Sequence, residues 1–296
     1  MLRSSKAPPV DNRTGNKTDF LLGQSGDKVF IVDHSGNAAV RKEVGSPQAL
    51  QRLSRQFEKH VLAIETGNMG PIEVPKIVTT MDQSGYTMEY VHGVPIGQLL
   101  TNGSRGQLLK VADVMGDYFE RHVEQSQNSN LKEQVMSKMS QLVNVYGSMS
   151  DPIAMTVGLS ALEQLTKYFD SRGLMSSWNH GDLSLENLLF QPETKKVFAI
   201  DFLDSPFETV LLDAGRFWLD VGLGWWGDGV RPVATSQANL FELRSRLSNR
   251  LAKTGIDNRD LIAFATLASL RVLPYTHNPV RRAFLKMSLL RFQGDK

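Results

Sequence analysis

The spacing of apolar residues changes character near Gly93. Before it, short β-branched and aromatic runs alternate with breaks that contain glycine. "FLLGQSGDKVFIVDHSGNAAVRKEV" (20–44) reads as strand, turn, strand, turn, strand, with Gly23, Gly26 and Gly36 as punctuation. A helix is predicted over 46–65. Ser46 suits its N-cap and Pro47 its first position, while Leu50, Leu53, Phe57, Val61 and Ile64 form one apolar stripe. "VPKIVTTMD" and "YTMEYVHG" then read as two more strands of one antiparallel sheet. Beyond Gly93 the period becomes helical, over 105–125, 130–148, 152–170, 208–223, 235–254 and 258–274. Residues 178–204 interrupt that series.

The pattern implies an α+β chain of two unequal lobes. A polar tail covers 1–18, a small antiparallel β lobe 19–92 and a larger, mainly helical lobe 93–296, with the boundary near 90–95. At 296 residues the chain is long enough to bury two lobes around a cleft. Its 41% hydrophobic and 22% charged content is ordinary for a globular protein. A formal charge of +2 argues against nucleic-acid binding, which usually shows a basic face. That charge is uneven: residues 205–296 hold 13 Lys and Arg against 8 Asp and Glu, a net +5, which leaves −3 on the remainder. The lack of cysteine excludes a disulfide scaffold and a thiolate metal site, and suits the cytoplasm. The first twenty residues lack an apolar core, so no signal peptide is expected. No stretch approaches 18 apolar residues, so no membrane span is expected either.

Candidate chemistry concentrates in the interrupting segment. "HGDLSLENLLF" (180–190) is followed by "VFAIDFLD", which places Asp201 fourteen residues after Asn187. A hairpin turning at "QPETKK" would fold Asp201 back beside Asn187. An amide oxygen and a carboxylate side by side are hard donors that suit Mg²⁺ bridging nucleotide phosphates. Asp182, at the other end of the loop, could accept a hydrogen bond from an attacking hydroxyl. Phosphoryl transfer needs an aligned nucleophile and neutralised charge, and this set supplies both.

His180, Asp182 and Asn187 resemble the H-x-D-x-x-x-x-N catalytic loop of the protein-kinase-like superfamily, and Asp201 resembles its metal-binding aspartate. "HGD" in place of "HRD" is similar to the aminoglycoside phosphotransferase and choline kinase-like branch. The resemblance implies a bilobal protein-kinase-like fold, a phosphotransferase using ATP or GTP with Mg²⁺, and a small-molecule hydroxyl acceptor. It assigns Asp182 to catalysis and Asn187 and Asp201 to metal. It also assigns Lys42 to the α/β-phosphates, Glu58 as the partner of Lys42, and Glu89, Tyr90 and Val91 to an adenine-binding hinge. "GQSGDK", with Gly23 and Gly26, takes the place of the phosphate-covering loop, although the full G-x-G-x-x-G is missing. "LLDAGRF" resembles the downstream D-L-A element and makes Asp213 a brace behind the loop. Ser184 stands where a protein kinase would carry lysine, "DFLD" replaces "DFG", and no A-P-E follows, so the implied acceptor is not a protein.

Several residues carry rival readings. Arg41 competes with Lys42, and strand alternation turns only one of them toward a nucleotide. His180 is expected to bond the loop backbone. Asp204 could support the metal site or simply serve a turn. Phe217 and Trp218 are expected in the core, with Met136, Met139 and Met149 as gap-fillers, whereas Trp225 and Trp226 could touch substrate. The basic C-terminal third favours a neutral or anionic acceptor, with a sugar or sugar derivative first, and "IDFLDSPFETVLLDAGRFWLDVGLGW" resembles branch members tied to surface-polysaccharide synthesis. Aminoglycoside or choline-type acceptors, and a nucleotide-binding pseudokinase, are the alternatives.

Overall fold

Strands β1 (Asp19–Leu22), β2 (Lys28–His34), β3 (Asn37–Glu43), β4 (Ile77–Thr79) and β5 (Gly85–Glu89) form one antiparallel sheet in the order β1-β2-β3-β5-β4. The computed structural model describes residues 19–22, 27–46, 49–128, 131–225 and 234–294. The turn between β2 and β3 is a two-residue hairpin. Ser35 and Gly36 both take positive φ, 55° and 83°, and the Gly36 amide donates to Asp33 Oδ1 at 3.0 Å. Register sets Lys42 opposite Val29 on one side and Tyr86 on the other, in the middle of the sheet.

Helix α1 (Leu50–Thr66) packs on that sheet, where Leu53, Tyr86 and Met88 make a small core. It starts later than Ser46 and Pro47 suggest. Ala49 stands at its N-cap with no side-chain bond, and Pro47 lies outside the described residues. The buried stripe also differs from the apolar one. Leu53, Gln56, His60 and Ala63 are buried while Ile64 is 39% exposed. The reason is that α1 serves two surfaces, the sheet and the segment after Asp201. The His60 ring lies 6.1 Å from Tyr86 and 5.0 Å from Phe202, and its Nε2 meets Pro75 O at 2.7 Å.

Past the link at residues 90–93, β6 (Val94–Pro95) pairs with β9 (Leu188–Gln191), which pairs with β10 (Lys196–Ala199). This second sheet carries the predicted hairpin. β7 (Gln127–Asn128) and β8 (Met175–Ser176) form a short ribbon. The helical lobe comprises α2 (Ile96–Asn102), α3 (Arg105–Glu124), α4 (Lys132–Gly147), α5 (Pro152–Asp170), α6 (Val210–Val221), α7 (Ala234–Thr254), α8 (Asn258–Val272) and α9 (Pro279–Gly294). Short α2 escapes the periodicity, while α9 starts at Pro279 with the Asn278 side chain accepting from the Val280 and Arg281 amides at 3.0 Å. Ser104 and Gln107 form a reciprocal capping box on α3, and Asp151 caps α5 ahead of Pro152.

Helix α6 is buried along almost its whole length and lies against α8. Their approach depends on Gly215, where a Cβ would stand 2.4 Å from the Phe264 backbone. Phe217, Trp218 and Met139 fill this core, with Met136 and Met149 packed at its edge. Among the described residues, no helix is long and apolar enough to cross a membrane.

Candidate active site

The loop from Asn179 to Asn187 is fixed from behind by α6. Asp213, fully buried, accepts from the His180 amide at 2.6 Å, the Gly181 amide at 3.0 Å and the Tyr118 hydroxyl at 2.6 Å. Gly181 holds φ +94°, and a Cβ there would stand 2.2 Å from Leu203 O, so no other residue fits without displacing the next segment. The His180 Nε2 bonds Ile200 O at 3.0 Å and its Nδ1 accepts from the Asp182 amide at 3.3 Å. The ring is therefore neutral, with its proton on Nε2. Burial agrees, holding the imidazole down at about 4. Burial likewise pushes the Asp213 carboxyl up to about 6, against the three donors that favour its charge.

Asp182 and Asn187 are locked together across the loop. The Asn187 amide nitrogen donates to Asp182 O at 2.9 Å and Oδ2 at 3.0 Å, which turns its oxygen away from the aspartate. Ile200 N donates to Asn187 O at 2.9 Å, so the hairpin sets Asp201 directly beside Asn187. Asp201 takes a left-handed φ of +66°, uncommon outside glycine. Its Oδ1 pairs with Lys42 Nζ across the two lobes. Burial works against both charges, yet the pairing prevails. Asp201 stays below the usual carboxylate range and Lys42 above the usual amine range. The neighbouring Arg41 points away and binds Asp82, Ser84 and Thr87.

Asn187 Oδ1 and Asp201 Oδ2 are two hard oxygens with no hydrogen-bond partner among the described residues. That donor set fits Mg²⁺, which takes few protein oxygens and completes its shell with water and phosphate. No group of three or more His, Cys, Asp or Glu that could hold a metal alone occurs among the described residues.

Glu58 is not the partner of Lys42. It lies on the exposed side of α1, lining a surface cavity of about 810 Å³ with Lys59, Leu62 and Trp178. Two residues make more than half a helical turn, and the inward position belongs to Gln56, whose buried amide has no hydrogen-bond partner among the described residues. Glu89 ends β5, where its amide donates to Lys76 O at 2.8 Å, and Tyr90 and Val91 follow in the link between lobes. Gly23, Gly26 and Trp226 lie outside the described residues. Trp225 packs on Phe284, at 5.5 Å between rings, under Arg281. Asp204 pairs with Arg55 of α1 at 2.9 Å.

Three side chains at this site have no counterpart in the sequence reading. Arg216 donates from Nε to Asp182 Oδ1 at 2.7 Å and from Nη1 to Asp220 Oδ1 at 2.9 Å. Asp220 Oδ2 in turn accepts from the Leu185 amide at 2.9 Å. Arg216 is one turn after Asp213 and Asp220 one turn after that. Their i, i+4 spacing in a strongly apolar helix was the available signal. Lys59 of α1 crosses to the loop, donating to Asn179 Oδ1 at 3.1 Å and Ser205 Oγ at 2.9 Å.

A five-stranded antiparallel sheet over one helix, joined through a short link to a helical lobe that carries this loop and hairpin, is the protein-kinase-like fold. Solved structures agree. A thermostable mutant of aminoglycoside phosphotransferase APH(4)-Ia, in a ternary complex with ADP and hygromycin B, superposes with a TM-score of 0.67 at 13% identity, over 93% of this chain and 92% of that one. A glucosamine kinase matches with a TM-score of 0.57 at 13% identity, over 90% and 78%. An ethanolamine kinase from Plasmodium vivax matches with a TM-score of 0.56 at 12% identity, over 96% and 84%. No protein-family model matches the chain, and neither does any curated protein.

Proposed function

We propose that this protein is an ATP-dependent phosphotransferase that moves the γ-phosphate to a hydroxyl of a small molecule, a sugar or sugar derivative first, and that it works in the cytoplasm. The observation that carries the reading is the convergence of Asp182, Asn187 and Asp201 on one edge of the cleft, with Lys42 reaching Asp201 from the other lobe. Structures with the same fold hold ADP with hygromycin B in one case and belong to glucosamine and ethanolamine kinases in others, which supports a small hydroxyl acceptor.

In this reading Asp182 orients the acceptor hydroxyl and receives its proton. The acceptor oxygen bonds to the γ-phosphorus as the bond to the bridging oxygen breaks, and ADP departs with that electron pair. Arg216 and Asn187 fix both oxygens of Asp182, so the carboxylate is aimed before substrate arrives. Lys42 leaves one oxygen of Asp201 free and brings a cation to the nucleotide side. When bound, Mg²⁺ supplies charge neutralisation for the phosphates; Asn187 and Asp201 are the residues that would hold it. Glu89, Tyr90 and Val91 would face the adenine. A role in surface-polysaccharide metabolism fits a sugar acceptor.

A nucleotide-binding pseudokinase is the competing reading, because Lys42 engages Asp201 and leaves Glu58 aside. A coupled ADP-release screen over sugars, amino sugars, aminoglycosides, choline and amino acids separates the two. Acceptor-dependent ADP release supports the phosphotransferase. Nucleotide binding with no ADP release across the panel supports the competitor.

A further inference from the structure

Beside the catalytic loop lies a second cavity, of about 630 Å³, walled by α1, α4, the 204–206 segment and the end of α8. Its position follows from Ser205. That residue lines the cavity, and its hydroxyl is 2.9 Å from where a Cβ of Gly181 would stand, one residue before Asp182. Arg271, on the same wall, feels the charge of Asp182, which puts the cavity near that aspartate.

The charges on the wall do not balance. Arg55, Lys138 and Arg271 face Glu133 and Asp204. Arg55 and Asp204 satisfy each other at 2.9 Å. Glu133 is exposed in the first turn of α4, whereas Lys138 and Arg271 are both partly buried. Arg271 makes no hydrogen bond or ion pair among the described residues, and Lys138 reaches only the side chain of Gln141, at 3.5 Å. Burial and mutual repulsion push the Lys138 amine below its usual range. Burial does the same to Arg271, which feels Asp182 and Asp213 as attraction and Arg216 as repulsion. Two partly desolvated cations on one wall, one of them a planar guanidinium fork with no partner among the described residues, form a preorganised receptor for an oxyanion.

We propose that the acceptor is a hydroxyl compound bearing an anionic group, a carboxylate or a phosphate monoester, held by Arg271 and Lys138 while its hydroxyl meets Asp182. This rests on the phosphotransferase reading and sharpens it. The anionic group is a handle and takes no part in bond making. A polycationic acceptor would be repelled by the same wall.

The test uses the full chain and four hexose probes: glucose, glucosamine, glucuronate and glucose 6-phosphate. Binding is measured by calorimetry with the nucleotide site filled by AMP-PNP, and turnover by ADP release with ATP. Glucuronate or glucose 6-phosphate should bind at least ~10-fold more tightly than glucose, with glucosamine weakest. Whichever anion wins identifies the handle. Arg271→Gln and Lys138→Gln should each weaken that binding ~10-fold or more and raise the acceptor KM, with the KM for ATP unchanged. Lys138 is on a surface helix, so the second variant decides the matter if the first fails to fold. Anionic probes that bind no better than glucose, or that bind Lys138→Gln as well as wild type, overturn the proposal. ADP release with glucose but no preference for anions removes the anionic handle and leaves the phosphotransferase standing. Anion binding that Lys138→Gln abolishes, without ADP release from any acceptor, upholds the receptor and removes the phosphotransferase.

Discussion

Arg216 Nε lies 2.7 Å from Asp182 Oδ1, and the same guanidinium holds Asp220 at 2.9 Å. The proposed catalytic carboxylate is thus the outer end of a three-member charge chain rooted in α6. Removing the middle member should affect two properties at once. In Arg216→Ala the buried Asp220 loses its cation, an uncompensated charge that costs about 3–5 kcal/mol. Thermal melts should show a marked loss of Tm. Arg216→Lys keeps the charge and loses the fork, so it should fold better yet lower kcat with little change in the KM for ATP. If Arg216→Lys keeps the wild-type kcat, Arg216 does not position Asp182.

Asp182→Asn removes the proton acceptor while its side chain can still bond its neighbours. Turnover should fall ~10²–10⁴-fold, the range for a positioned acid–base group. Nucleotide affinity, measured by calorimetry, should stay near wild type, because Lys42 and Asp201 are untouched.

Lys42 and Arg41 give a paired control. Strand alternation sends Lys42 to Asp201 and Arg41 to Asp82 on the other face. Lys42→Ala should raise the KM for ATP by at least ~10-fold, whereas Arg41→Ala should leave it within about twofold; loss of a charged hydrogen bond sets the first figure. Equal effects would mean that the face of β3 does not matter.

The sequence carried a large part of this site because its key positions are local. The hairpin that sets Asp201 beside Asn187 has its turn written in "QPETKK", and six of the helices follow their apolar periods. Contacts that depend on helix rotation were harder to read. Glu58 and Gln56 differ by two residues, and which one turns inward depends on how α1 satisfies Phe202 as well as the sheet. The same double demand buries His60 and exposes Ile64. Arg216 was hidden differently. A lone arginine in "DAGRFW" looks like a solvated residue until Asp182 is known to stand against it.

Acid should destabilise the protein. His60, His122 and His180 are buried and each is held down at about 4 by burial. A folded pKa below the unfolded value near 6.5 gives stability that is present above 6.5 and lost as pH falls through about 4. Each imidazole contributes roughly 3 kcal/mol when the shift is fully expressed. Asp213 acts in the opposite sense. Its folded value, pushed up to about 6 by burial, returns a similar amount as pH falls. Three groups outweigh one, so Tm should drop between pH 7 and pH 4.5. His122→Gln, whose amide nitrogen comes nearest the place of the His122 Nε2 that meets the Asn68 carbonyl at 2.7 Å, should flatten that slope. A Tm that stays level or rises on acidification would contradict the burial argument.

The most direct measurement is single-turnover transfer of labelled γ-phosphate from ATP to an acceptor found in the ADP-release screen, by wild type and by Asp182→Ala in parallel. Wild type should place label on the acceptor and the variant should do so at a rate at least ~10²-fold lower, both proteins binding nucleotide alike. Equal transfer by the two proteins would contradict the catalytic role of Asp182.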